Sequence, residues 1–460
     1  MILTLSPYDF VTVVVILTVT IVLGLKGASH ATSRLSSARE YILAGRALTL
    51  PLFVVSLVAT WYGAVLGSGE FIVRHGIAMI FCFGLPYYLA AIVYAIWFIP
   101  RYHRLRAVSI PDMLGSMYGP VVRRAASIVM LAMTIPAAYI LMLGTFVDGM
   151  TGWGTVPSMV IGTVVAGSIV IRGGLRSHAV SNGVQFLSMF VGFGVLLAAC
   201  WFTFGGPRIL IDELAPSAFD VPGTLGWPMI IAWWFIALQT FVDPNVHQRI
   251  SAVGSPRTAQ RGVIISVAFW ILFDILQLST GLYAMAFLSI DRPIDTYLVL
   301  AQAVLPPIYK GLFVAGVVSA IVSTLDGYAL AAGATLSHDL LPSWFGGRWR
   351  YALGLILVFM AAIALASAVP SVVDLLFYAA SVGVPAFLPT TLIGFSRWRN
   401  RVRRLGGWLI IAPAAMSILA IVAQRIADAP YLAGAEGMVA GLLTSCSMIG
   451  VIAIRSRLST

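Results

Sequence analysis

The run Ser319-Ala-Ile-Val-Ser-Thr-Leu-Asp-Gly327 puts three hydroxyls and a carboxyl into an otherwise apolar stretch. Ser319 and Ser323 share a helical face at a spacing of four, with Thr324 beside Ser323. Two readings are open. Such hydroxyls commonly donate back to the carbonyl four residues earlier. Alternatively, hydroxyls joined by carbonyls from a broken helix offer a sodium ion its oxygens without a full negative charge. Asp326, a turn beyond Ser323, is an acid at the end of the same run and reads equally as a coupling group or as a packing and gating residue. Asp274 lies deeper, near the middle of Trp270-Ile-Leu-Phe-Asp-Ile-Leu-Gln277. It could serve a coupling cation, a cationic solute or a polar neighbour such as Gln277. Glu70 and Asp243 fall nearer helix ends, where solvation is the simpler expectation.

Two further stretches carry residues that interrupt helices. Ser56 to Glu70 clusters Gly63, Gly67 and Gly69, and Trp233 to Pro244 ends on Gln239, Thr240, Asp243 and Pro244. Glycine and proline at membrane depth release backbone groups, which is tolerable only where a cavity, an ion or a neighbour satisfies them. The bland alternative is close helix packing over small residues. A matched pair of interrupted helices in two halves of a chain points instead to a transporter's binding site.

The elements that must position these groups follow from composition. Of 460 residues, 60% are apolar and 10% charged, and mean hydropathy is +0.97, so the bilayer is the solvent. Apolar runs fall at 8–25, 51–73, 76–99, 125–147, 156–171, 184–204, 228–246, 263–289, 311–335, 351–369, 371–394, 407–424 and 435–454. The chain thus reads as an all-α membrane protein of about thirteen helices, with the first run a retained helix rather than a signal peptide. With the N-terminus outside and the C-terminus inside, 23 of the 28 basic residues fall on the inner side. Only Arg74, Arg208, Arg292, Lys310 and Arg425 lie outside. The net charge of +11 therefore orients the chain against anionic lipid and implies no nucleic acid. Arg249 counts here as an inner loop cation.

Several functions are excluded. No phosphate-cradling loop, nucleophile elbow or metal-ligand cluster occurs, so the chain is not read as an enzyme or an ATPase. Cys82, Cys200 and Cys446 show no pairing or metal spacing. All six histidines fall in loops or at helix ends, so no buried histidine relay is expected. Work must come from an ion gradient or the solute's own, across a plasma (inner) membrane.

At these motifs the chain resembles the sodium:solute symporter family. The matching stretches are Tyr41-Ile-Leu-Ala-Gly-Arg-Ala-Leu48, Gly173-Gly-Leu-Arg176, Gln248-Arg-Ile-Ser-Ala252 and Ala320-Ile-Val-Ser-Thr-Leu-Asp326. The resemblance implies a LeuT-type core of two inverted five-helix repeats, 51–204 and 228–394, joined by an external segment, 205–227. Residues 1–50 would add a helix and a cytoplasmic loop, and 395–460 two further helices and a tail. It also implies a sodium site of the Ala59, Tyr62 and Ala320 carbonyls with the Ser323 and Thr324 hydroxyls. A small-molecule solute would sit near Trp61, Gly63, Ala64, Leu66, Gln239 and Thr240. Some relatives carry an acid where this chain has Asn182, and the proline carriers an acid where it has Trp61. Both departures favour one Na+ over two and argue against proline. The expectation is sodium-coupled uptake of an amino acid, sugar or carboxylate-like solute by alternating access. Its rivals are a proton-coupled carrier using Asp274 or Asp326, and a solute sensor, for which an attached signalling region would be expected. Nothing in the sequence selects an oligomeric state.

Overall fold

The computed structural model describes residues 3–32, 46–105, 107, 109–336, 347–427 and 435–458. The first five residues of the Tyr41–Leu48 motif therefore lie outside the described residues, as do the side chains of 165–174, 176 and 177. Among the described residues the chain is helical throughout, with no strand. Ten helices among the described residues are long and apolar enough to cross a membrane. Shorter apolar helices, Thr155–Val164, Leu353–Ala368 and Glu436–Ile452, fall where the fifth, tenth and thirteenth spans are expected.

The elements that carry the site are best followed in chain order. Helix α1 (Pro7–Thr32) is tied to the rest through Asp9, whose carboxylate accepts from the backbone N–H of Ile308 at 2.8 Å and of Gly311 at 2.9 Å. The second span is interrupted as its glycines suggest. Helix α2 (Leu50–Trp61) yields to a 3-10 turn over Tyr62–Ala64, and α3 (Val65–His75) continues. Next, α4 (Ile80–Leu105) carries two π-helical segments, Ile80–Gly84 and Tyr94–Phe98. Such bulges cluster at functional sites. Helices α5 (Pro120–Thr134) and α6 (Ala137–Thr151) follow.

Helix α7 runs from Thr155 to Phe204, so the expected break over 172–183 is helical. Gly173 and Gly174 lower helix propensity there without ending the backbone hydrogen-bond series. The seventh span is interrupted in turn. Helix α8 (Trp227–Ala237) passes into a 3-10 turn over Leu238–Phe241, and α9 (Pro244–Ser251) restarts beyond Val242. The restart is written locally: Asp243 is extended, its carboxylate accepts from the Val246 N–H at 2.9 Å, and Pro244 takes the first helical position. Helices α10 (Pro256–Phe287), α11 (Tyr309–Thr335), α12 (Gly347–Ala368), α13 (Val372–Gly394) and α14 (Trp408–Ala427) complete the frame around the site.

Candidate functional site

The end of α2 and the middle of α11 meet at the polar centre of the chain. Thr324 donates from its hydroxyl to the Thr60 carbonyl at 2.8 Å and to the Ala320 carbonyl at 3.1 Å. The hydroxyl thus bonds back along its own helix, as the first reading has it, and also across to the interrupted one. Gly63 makes the approach possible, because a Cβ there would overlap the Thr324 side chain. Ser323, fully buried, donates to the Asn182 side-chain oxygen at 2.8 Å. The Asn182 amide donates to Ser56 Oγ at 2.9 Å. Ala59, Tyr62 and Ala320 are buried beside these hydroxyls, so the five residues expected to hold sodium lie on three adjoining elements, α2, the 3-10 turn and α11.

A residue that sequence reasoning placed in a loop sits in this network. Arg249, on α9, is 1% exposed. Its guanidinium donates to Ser56 Oγ (3.0 Å), to Thr60 Oγ1, and to the Asn245 carbonyl (3.1 Å). All three acceptors are neutral, and no carboxylate lies within ion-pairing distance among the described residues. Hydropathy reads an arginine as the end of a span. Only the distant partners Ser56 and Thr60 reveal that it is buried.

Next to this network a cavity of about 550 Å³ opens, a size ordinary for small-ligand sites. Of the expected solute contacts, Trp61, Ala64, Gln239 and Thr240 line it. Gly63 instead faces Thr324, and Leu66 is buried in the core, so neither lines the cavity. The floor adds Thr60, Asp243, Asn245, Arg249 and Tyr328, while aromatic and aliphatic groups such as Phe83, Tyr87, Met133 and Trp233 form the walls. Trp61 is held by stacking on Trp270 (centroids 4.5 Å apart) and by an edge contact to Tyr87.

The acids are placed differently from expectation. Asp274 does not pair with Gln277, which donates to Ser68 at 2.7 Å. Its carboxylate accepts from the Tyr62 hydroxyl at 2.9 Å and from the Tyr88 hydroxyl, and it does not line the cavity. Glu70 and Asp243 are buried rather than solvated. Glu70 accepts from Ser371 at 2.8 Å and pairs with Arg74 at 3.0 Å, while Asp243 accepts from Tyr328 at 2.6 Å. Asp326 leaves Oδ1 buried without a partner among the described residues. The histidines also need correction. His178 is buried with Nε2 3.4 Å from Ser323 Oγ, and His247 is enclosed by Tyr94, Phe98 and Tyr102. Both fall where helices continue past the predicted span ends.

The architecture has solved counterparts. A Na+-coupled sialic acid symporter, in a substrate-bound outward-open state, superposes with a TM-score of 0.76 at 16% identity, covering 97% of this chain and 98% of that one. That likeness fixes the LeuT-type fold. Among curated relatives, a putative sodium-dependent multivitamin transporter of Drosophila melanogaster is 24% identical over 373 residues, 74% of this chain. The sodium/pantothenate symporter of Escherichia coli K12 is 24% identical over 323 residues, 65% of this chain. These matches span 60% and 66% of the relatives' own lengths. Together with the apolar helices they make this a multi-pass membrane protein, in bacteria of the inner membrane. The family model for sodium:solute symporters matches residues 41–406, most of the sequence, and the chain belongs to that family of transporters.

Proposed function

We propose that this protein is a secondary active symporter that couples one sodium ion to the inward passage of a small organic solute by alternating access. The observation that carries this reading is the contact of Thr324 with α2 where that helix gives way to the Tyr62–Ala64 turn, with Ser323 beside it joined to α2 through Asn182 of α7. Sodium would bind there to the hydroxyls of Ser323 and Thr324 and the carbonyls of Ala59, Tyr62 and Ala320. The solute would occupy the cavity between the two interrupted helices, against Trp61, Ala64, Gln239 and Thr240. The relatives' described cargoes, vitamins, pantothenate and sialic acid, support a small organic solute.

The surrounding frame, in this reading, has thirteen crossings with the N-terminus outside and the C-terminus inside. Repeats at 51–204 and 228–394 each contribute one interrupted helix. Asn182, where a carboxylate would add a second charge, bridges Ser323 to Ser56 as a neutral amide, which suits one sodium. In this reading Asp274, which accepts from the Tyr62 and Tyr88 hydroxyls and does not line the cavity, serves as a brace for Tyr62. A gradient then does the work: about 2.3 kcal/mol per charge per 100 mV, plus about 1.4 kcal/mol for a tenfold sodium difference.

Uptake into proteoliposomes under an inward sodium gradient tests the assignment, with pantothenate as the first solute. Ser323→Ala and Thr324→Ala should each raise the sodium concentration for half-maximal uptake about tenfold or more, since each removes an oxygen from a buried cation. Unchanged sodium dependence in the double variant would refute the site.

A further inference from the structure

Glu70 is an acid to which the symporter reading gives no task. It lies on α3, the second half of the first interrupted helix, and is 1% exposed. Taking a carboxylate out of water is costly, and an ionisable group inside a membrane span is a functional candidate by default. Its Oε1 meets Arg74 on the same helix at 3.0 Å and accepts from the Ser371 hydroxyl at 2.8 Å. Arg74 is half-exposed, so that ion pair contributes little. The Ser371 contact reaches another element. Ser371 caps α13, accepting from the Asp374 N–H, so the carboxylate sits on the residue that starts that helix.

Two further contacts join the same pair of helices. Gly67, one turn before Glu70, lies so close to α13 that a Cβ there would overlap the Val372 side chain. Phe71 meets Trp233 of α8 edge-on at 5.9 Å, and Trp233 meets Phe377 of α13 at 5.6 Å. The junction takes its meaning from what each helix does elsewhere. Helix α3 begins directly after the Tyr62–Ala64 turn, beside which Thr324 is bonded. The first three turns of α13 line the solute cavity, with Leu375, Tyr378, Ala379 and Val382. A different bond to α3, from Gln277 to Ser68 at 2.7 Å, leads to α10, which does not line the cavity. The Glu70 contact leads to the cavity wall.

We propose that Glu70 is a positioning residue that couples the sodium site to the solute cavity, by holding α3 to the start of α13 through Ser371. This rests on the symporter reading above and adds to it the contact through which the ion reaches the cavity wall. A cation drawing the Ala59 and Tyr62 carbonyls toward Ser323 and Thr324 shifts the turn, and α3 shifts with it. Glu70 carries that displacement to Ser371, so α13 is set against the cavity differently with sodium and without it. The coupling is reciprocal: a solute that favours the sodium-bound placement of α13 raises sodium affinity by the same factor.

The test reads α13 directly, with no solute. The full chain carries Ala379→Cys as the reporter and Cys446→Ser, since Cys82 and Cys200 are buried and Cys446 is exposed. The rate of labelling by a polar maleimide is measured in NaCl and in isosmotic KCl. Sodium should change that rate about fivefold or more, the low end of usual coupling, and Ser323→Ala should remove the change. Glu70→Ala and Ser371→Ala should each make the rate the same in both salts, while sodium still raises the thermal unfolding midpoint. Glu70→Gln, which keeps an acceptor for the Ser371 hydroxyl, should retain part of the response, and it serves if Glu70→Ala does not fold. A sodium-dependent rate that survives undiminished in both Glu70→Ala and Ser371→Ala would overturn the proposal. So would sodium stabilisation of the unaltered chain without any change in labelling, or loss of that stabilisation in the Glu70 and Ser371 variants. Absence of any sodium response in the unaltered chain would count against the symporter reading itself.

Discussion

The two helix interruptions solve one backbone problem by different means. At Tyr62–Ala64 the chain has no side-chain cap; the break is closed from outside by α11, with Thr324 donating to the Thr60 carbonyl and Gly63 leaving room for it. At Leu238–Val242 the chain closes itself. Asp243 caps α9 through the Val246 N–H, and Pro244 needs no donor at the first helical position. A break that relies on a neighbour's hydroxyl has carbonyl oxygens to offer a bare cation. A break that caps itself is a rigid wall, and there it borders the cavity with Gln239, Thr240 and Asp243. In the proposed reading the first interruption suits an ion and the second a solute.

Substitutions at each break separate these roles. The largest effect is expected for Gly63→Val, whose side chain would overlap Thr324. It should cost about 3 kcal/mol of stability as overpacking and remove sodium-dependent stabilisation, read by thermal unfolding in NaCl. A variant that folds normally and keeps its sodium response would break the comparison. At the second interruption, Asp243→Ala removes the cap and strands the Tyr328 hydroxyl, for about 2 kcal/mol. Because Asp243 bonds to Val246 and Tyr328 and to neither Ser323 nor Thr324, the solute-free sodium midpoint should shift far less than in Gly63→Val. An equal shift would place Asp243 with the cation.

The smallest expected effect lies between the two. Asp274→Asn leaves the Tyr62 and Tyr88 hydroxyls one charged acceptor short, at about 1 kcal/mol. The pH profile of sodium-driven uptake should keep its shape, since the carboxylate is a brace outside the cavity. A flattened profile would make Asp274 a proton site and return weight to the proton-coupled carrier.

The interrupted helices were legible because glycine, proline and an Asp-Pro restart are local signals, and the Ser323–Thr324 pair because polar groups stand out in an apolar run. What stayed hidden depends on partners far along the chain. Arg249 looks like the end of a span until Ser56 and Thr60, nearly two hundred residues earlier, are brought to its guanidinium. His178 looks like a loop residue because Gly173 and Gly174 imitate a break that the helix runs through. Trp61, Ala64, Gln239 and Thr240 share one cavity, but Leu66 turns into the core, because a residue's side of a helix shifts once the helix is interrupted.

The central claim is a sodium site at the junction of α2 and α11. Its most direct test is the thermal unfolding midpoint of the purified protein in NaCl against isosmotic KCl or choline chloride, with no solute, for the unaltered chain and for Ser323→Ala. The site predicts stabilisation by sodium alone, and its loss in Ser323→Ala at the same sodium concentration. Equal midpoints in all three salts, or a sodium effect that survives Ser323→Ala undiminished, would contradict it.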